Sequence, residues 1–555
     1  MRLLSGVLTA FLMVGSLWAG EIHDAAEKGD LAKVQSLLAE HPELANATTG
    51  LQQKRPLHLA VEGGHLDVVA ELLARGADPN GNGRTGTGQS PLEVAAGRND
   101  TGIMKLLFAH GVQIPAFSRN GMGHRGPLSM AAMGGHNDAI QLLVDHGAII
   151  NPKEGDTPLQ IAAVNGHVDT VKLLIEYDVD INAKHESGST VLHFAALSGS
   201  DATVDILRAH GAIVNASDLS LLQNAAYGGV KRLVQHLLSE NPNVKSKELP
   251  LHSAAVQGHI EIIKLFIDRG ADVNARDKHG CTPLQSAMTN CHMAAAKLLI
   301  AQGADVNAGS GETALCLAAD GGSLDLVTFL LAQGAIIPTT GTTPLHCAAR
   351  GAYHTRADAE KNLRIAVIKL FLDKGLDING KDSHQGYTPL HLAARRATKD
   401  VIALLITEGA KVNIMNDLGH TPLLLAARAR NKDAVELLIG RGATINVKDY
   451  LGFTPLHEVL RCTSNSGPIS NQDQIDLVAM LLAHGANVNA SDQRGWTPLY
   501  YAVSEVQKSP EIVKLLLSKG ANVHMIDRSS QTPLDLARSK EDNQEIIDML
   551  MARKH

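Results

Sequence analysis

The chain has 555 residues and a formal net charge of −7, with no Lys/Arg-rich run beyond a short C-terminal tail, which excludes nucleic-acid binding through bulk charge. It is 44% hydrophobic and 19% charged but only 3% aromatic, so its core rests on Ala, Leu, Ile and Val. Small side chains of this kind suit thin, closely stacked helices rather than one large globular core.

Met1-Arg2 carries one positive charge, Leu3 to Leu17 is uncharged and mostly apolar, and Trp18-Ala19-Gly20 follows. That order predicts a secretory signal peptide over residues 1–20, cleaved near Ala19 or Gly20. The alternative, an uncleaved anchor, is disfavoured because the run is shorter than the ~20 residues a span needs. The expected location is periplasmic or secreted, with no membrane span after cleavage.

From Glu21 onward the chain is repetitive. Thr-Pro-Leu recurs at Thr157, Thr282, Thr343, Thr388, Thr421, Thr454, Thr497 and Thr532. Degraded copies begin at Arg55, Ser90, Gly126, Thr190, Ser220, Leu249 and Thr313. With an opening unit near Glu21 this makes sixteen segments of about 33 residues. In one unit, Thr282 caps a helix and Pro283 takes its first position, where a missing N–H costs nothing. Leu284, Ala287 and Met288 share one narrow face. In the unit before it, Gly258-His259 breaks the first helix, Ile260 to Ile267 continue a second, and Gly270 closes it in the left-handed conformation. Asn274 to Gly280 then form a tight turn. Neither helix can bury its apolar face alone, so each unit needs neighbours on both sides. Glu21 to Asp30 lacks the Thr-Pro-Leu start and Glu541 to His555 reads as a polar-faced helix, as solvated end caps require.

Thr-Pro-Leu-His-Leu-Ala-Ala at Thr388–Ala394 and Gly-Ala-Asp-Val-Asn-Ala at Gly270–Ala275 resemble the ankyrin repeat family, over nearly all of residues 21–555. The resemblance implies an all-α-dominated solenoid of stacked helix–turn–helix units with β-hairpin or turn fingers, which works by binding protein partners. It also implies that His58, His193, His252, His346, His391 and His457, in the slot after Thr-Pro-Leu, hydrogen-bond finger to helix.

Several stretches depart from the period. Pro79 to Ser90 and Ile114 to Gly126 lengthen fingers, whereas Gly351 to Leu363 and Thr463 to Asp473 insert between the two helices of a repeat. Gly81 to Gly86 matches GxGxxG, but no strand precedes it, so nucleotide binding is not expected. Asn46, Asn99, Asn215 and Asn489 start N-x-S/T sequons, of which Asn215 and Asn489 are the repeat's own Val-Asn-Ala followed by Ser. The five cysteines have no CxxC spacing; Cys316 and Cys347 beside His346 suggest buried thiols rather than a metal site. No Gly-x-Ser-x-Gly, His-Glu-x-x-His or Walker loop is present. No enzyme, no cofactor, no metal and a monomeric chain are the resulting expectations.

Two rows of equivalent positions carry the binding chemistry. The residue after the Ala-Ala pair, which the resemblance places on the concave face, is Met133, Val164, Leu197, Tyr227 and Val256 in five successive repeats. Further on it becomes Arg350, Arg395, Arg428 and Arg461. The residue before Thr-Pro-Leu gives Tyr387, His420, Phe453 and Trp496, with Tyr450 close by. Arginine beside aromatics is the composition of binding hot spots. The expected function is an exported protein-binding scaffold whose partner presents an acidic segment to these arginines. A secreted effector or toxin-associated factor acting on a host or competitor protein, or a cell-wall or glycan binder using the aromatic row, are the alternatives.

Overall fold

The computed structural model describes residue 18 and residues 20–48, 54–81, 89–114, 126–152, 155–241, 249–309, 312–350, 358–461, 471–504, 509–539 and 544–552. The predicted signal segment therefore lies almost wholly outside the described residues, as do the GxGxxG stretch and most of the two lengthened fingers. Among the described residues no helix is long and apolar enough to cross a membrane.

The chain forms two units, Met1–Ala271 and Asp272–His555. Among the described residues each contains eight helix pairs. The first unit runs from a helix at residues 20–28 paired with Leu31–Glu40, through pairs such as Pro158–Val164 with Val168–Glu176, to Leu249–Gln257 with Ile260–Asp268. The second runs from Pro283–Thr289 with Met293–Ala301 to Pro533–Arg538 with Gln544–Met551. The insertion before Asp358 is followed by a sixteen-residue second helix, Asp358–Asp373, and the other by Asn471–Ala483.

Local sequence explains each pair. Thr282 accepts the Gln285 backbone N–H at 3.3 Å while Gln285 accepts the Thr282 N–H at 2.8 Å, a reciprocal capping box that fixes the helix start. Where histidine replaces glutamine, its Nδ1 takes the same backbone N–H: His391 from Thr388 at 3.1 Å, His457 from Thr454 at 3.1 Å. The other ring nitrogen reaches the next finger, His391 Nε2 to His420 O at 2.9 Å and His457 Nε2 to Trp496 O at 3.2 Å. Gln285 does the same through Nε2 to Glu312 O at 2.7 Å. Burial pushes both histidines down to about 4, so they are neutral near pH 7. His346 follows the same pattern and His193 reaches the Asp218 carboxylate; by contrast, both ring nitrogens of buried His58 lack a partner among the described residues. Cys316 and Cys347 are buried free thiols, with Cys316 Sγ 4.0 Å from the Thr342 carbonyl oxygen.

Alanine pairs such as Ala393-Ala394 and Ala426-Ala427 are fully buried, which is what allows neighbouring first helices to approach closely. A second set of contacts was not anticipated from sequence. Asparagines ending Val-Asn or Ile-Asn motifs clamp the following repeat with both ends of the amide: Asn413 Nδ2 donates to Gly442 O at 3.0 Å and Oδ1 accepts the Thr444 N–H at 2.8 Å. Asn379, Asn446 and Asn489 repeat the clamp in the same unit, and Asn182 makes it in the other. Asn46 and Asn489, two of the sequon asparagines, thus have their amide donors already committed. A further ladder in the first unit joins His136, His167 and His259, each Nε2 facing the carbonyl at the end of the preceding first helix.

The fingers are turns stapled by side chains, and no strand ladder is present among the described residues. Asp449 Oδ1 accepts the N–H groups of Leu451 and Phe453 at 2.9 and 2.8 Å, and Asn416 and Asp492 do the same in neighbouring fingers. Gly419 and Gly452 sit at φ +76° and +85°, where a Cβ would meet the backbone of the next finger at 3.0 Å. Successive fingers can therefore touch, through Tyr450 N–H to Leu418 O and Gln493 N–H to Leu451 O.

Candidate protein-binding site

In the second unit the ends of Pro389–Arg396, Pro422–Arg428 and Pro455–Leu460 face the fingers across a cleft of about 680 Å³. Its walls bring together Tyr387, Arg395, His420, Arg428, Tyr450 and Arg461, six of the nine residues singled out from sequence for this region, with Arg396, Leu418, Leu425, Ala429, Asp449 and Leu451. The cleft is of the size that encloses a drug-sized group or a short peptide segment.

The four arginines of the row are not equivalent, and the reason lies in the residue each one meets. Arg428 reaches forward to the next first helix and meets Glu458, donating from Nε at 2.8 Å and Nη2 at 2.6 Å. Glu458 is 0% exposed, and its hydrogen bonds to Arg428 hold that guanidinium firmly ionised against the cost of burial. Arg395 occupies the same position one repeat earlier, but the position corresponding to Glu458 there is Leu425. Among the described residues Arg395 has no carboxylate partner. For Arg461 the corresponding position is Tyr501; Arg461 stands 3.7 Å from the already bidentate Glu458 and lies over the Phe453 ring at 4.6 Å. Arg350 turns backward, chelated by Glu312 at 2.6 and 2.9 Å and held by Asp320 at 3.0 Å. Its charge is neutralised twice over, and it does not line the cleft.

The row of residues before Thr-Pro-Leu divides as well. Tyr387 is half-buried, its hydroxyl donating to Gln385 at 2.6 Å. His420 is buried, with Nε2 3.2 Å from an Arg428 nitrogen and 3.3 Å from Asp449 Oδ2. Burial opposes ionisation of Asp449, but hydrogen bonds from His420 and from the Phe453 and Leu451 N–H groups keep its carboxyl below the usual range. Phe453 is only 4% exposed and serves as the platform beneath Arg461. Trp496 is stacked on Tyr500, covered by Arg494 at 4.8 Å and tied through Nε1–H to Asp527 at 3.1 Å. Stacking and cover occupy this ring, whereas Tyr450, 64% exposed, presents the open aromatic surface of this region. Tyr450 stands beside exposed Leu418 and Leu451, so the cleft has a cationic wall on the helix side and an apolar rim on the fingers.

Sequence reading missed Glu458, Asp449, Arg396 and the apolar rim. Glu458 was signalled by its place in Thr-Pro-Leu-His-Glu, where the two preceding units carry Leu392 and Leu425; the exposure of Leu418 and Leu451 had no signal apart from the finger geometry. Among the four lining arginines, two carboxylates (Asp449 and the underlying Glu458) leave a net charge of +2.

In the first unit Met133, Val164 and Val256 are half-buried, while Leu197 and Tyr227 are exposed, all five at the ends of first helices. The backbone there is pinned, since the Met133 and Tyr227 carbonyls accept from His167 and His259, both at 2.8 Å.

Comparison with known proteins accords with this architecture. The ankyrin repeat pattern in three-copy form matches residues 22–118, 117–185, 221–310, 307–359, 356–449 and 469–555, and the single-repeat pattern matches 187–219. The human transient receptor potential cation channel subfamily A member 1 is 26% identical over 399 residues, 71% of this chain and 27% of the channel. The E3 ubiquitin-protein ligase XBAT32 of Arabidopsis thaliana is 34% identical over 187 residues, 33% of this chain and 36% of the ligase. The ligase KEG of the same plant is 25% identical over 414 residues, 71% of this chain and 22% of its own length. The chain thus spans about a third or less of the length of these relatives. Its helix pairs, capping boxes, asparagine clamps and family match make it a member of the ankyrin repeat family.

Proposed function

We propose that this chain is an exported, non-catalytic scaffold that captures a partner protein through the arginine cleft of its second unit, the partner contributing an acidic segment. One observation carries the reading. Arg395 lines the cleft with its charge uncompensated among the described residues, whereas Arg428, the cleft arginine of the same register one repeat on, is matched to a buried carboxylate. A guanidinium held beside an apolar rim is poised to take a carboxylate from outside. The ankyrin architecture supports protein partners, and the net charge of −7 argues against nucleic acid.

The experiment uses the purified mature chain and partners captured from its native compartment. Arg395→Ala is expected to weaken a cleft partner about tenfold, ~1.4 kcal/mol, at an unchanged urea midpoint. Equal affinity would remove the cleft from the mechanism. Export rests on residues 1–20 alone, and full-length protein found in the cytosol would refute it.

A further inference from the structure

Within that reading, the arrangement of the arginines specifies the partner segment more narrowly. Arg428 has its charge matched: both oxygens of Glu458 already bind it. Positive charge without a hydrogen-bonded carboxylate on the helix side of the cleft lies on Arg395 and Arg461. Arg395 has no carboxylate among the described residues, and Arg461 has only Glu458 at 3.7 Å, beyond hydrogen-bond distance. These two occupy the same register two repeats apart, so with first helices ~8–10 Å apart their backbones are separated by ~16–20 Å. Both side chains line a single cleft, and arginine and glutamate side chains, each several ångströms long and flexible, can converge to span the difference from the peptide's own spacing. Between them stand the satisfied Arg428 and, opposite, the exposed Leu418, Tyr450 and Leu451 of two adjacent fingers.

We infer that the cleft is a two-point receptor for an extended peptide whose acidic residues, four positions apart, are held by Arg395 and Arg461 while intervening apolar side chains rest on Leu418, Tyr450 and Leu451. An extended chain advances ~3.3 Å per residue, so residues i and i+4 lie ~13 Å apart and point to the same side. Residues i+1 and i+3 point to the opposite side, toward the fingers. The pattern is therefore acidic, apolar, any, apolar, acidic. Its two negative charges match the net +2 of the cleft walls, and Arg428 is left undisturbed.

The test is calorimetric titration of the full chain with peptides having the core Glu-Leu-Ser-Leu-Glu, the same residues rearranged to Leu-Glu-Ser-Glu-Leu, the single-acid Glu-Leu-Ser-Leu-Gln, and the neutral Gln-Leu-Ser-Leu-Gln, all with Gly-Ser flanks. Glu-Leu-Ser-Leu-Glu is expected to bind at least tenfold more tightly than the rearranged and single-acid peptides. Arg395→Ala, which breaks no internal ion pair, should erase that preference and leave the urea midpoint unchanged. Leu418→Asp should weaken it independently. If all acidic peptides bind equally and depend on Arg395, the cleft still takes acidic partners but two-point recognition is overturned. If no acidic peptide exceeds the neutral one, the acidic-partner reading falls with it. Inorganic phosphate competing as well as the spaced peptide would show a single anion subsite and also overturn the spacing.

Discussion

Replacing Arg428 by alanine leaves Glu458 in the stack with its principal counter-ion gone. Glu458 is fully buried, whereas the Arg428 side chain is 30% exposed. Breaking a buried pair by removing one partner costs about 3–5 kcal/mol, because the remaining charge is stranded away from water. Here one end of the pair already sees solvent and Arg461, at 3.7 Å, is near enough to take over part of the pairing, so the lower end of that range, about 3 kcal/mol, is expected. The companion variant carries Leu at 458, the residue type that neighbouring repeats hold at this position as Leu392 and Leu425. Arg428→Ala with Glu458→Leu should recover most of the loss, since replacing both ends of a buried pair by apolar groups is often neutral. Urea denaturation followed by far-ultraviolet circular dichroism measures the change. Hydrogen exchange over Pro422–Arg428 and Pro455–Leu460 locates it, because stability in repeat arrays is a sum over neighbouring layers. An Arg428→Ala protein within ~0.5 kcal/mol of the parent, or a double variant no better than the single one, would refute the reasoning. The same result governs how the binding surface is probed: simultaneous alanine at all four arginines would confound loss of contact with loss of fold, whereas Arg395→Ala would not.

Three further outcomes are expected. His391 and His457 titrate near 4 when folded and near 6.5 when unfolded, so the unfolded chain binds more protons between those values. The stability they support is complete above about pH 6.5, is lost as pH falls toward 4, and amounts to about 3 kcal/mol for each; His391→Gln with His457→Gln, using the residue found at Gln160 and Gln285, should flatten the urea midpoint across pH 4–6.5, and an unchanged slope would discount the histidines. Asn413→Ala removes both ends of one inter-repeat clamp and should cost about 1–2 kcal/mol, with faster hydrogen exchange at Thr444; a neutral effect would make the asparagine ladder incidental. Leu197→Asp with Tyr227→Asp should leave folding intact, since both side chains are exposed, and should abolish capture of any partner that uses the first unit; full capture by the double variant would assign recognition elsewhere.

The repeat was legible because its determinants are local. Thr-Pro at a helix start, glycine at its left-handed end and apolar residues on one face act within a few residues of each other, so each unit states its own helices. The arginine row was legible for the same reason: equivalent positions of a stack fall into line whatever the neighbours are. Which of those arginines is available for recognition was not local information. Arg395, Arg428 and Arg461 look alike in the chain and differ only because the next helix offers leucine, glutamate or tyrosine. Arg350 differs again because its carboxylates come from the repeat before. Likewise Phe453 and Trp496 looked like surface anchors, but Phe453 is buried and Trp496 is covered by Tyr500 and Arg494, while Leu418 and Leu451 stand exposed on turns stapled by Asn416 and Asp449. Sequence therefore determined the layers and the register of their chemistry. Tertiary structure decided the charge balance and exposure of each group, because pairing and burial depend on what the adjacent layer places within a few ångströms.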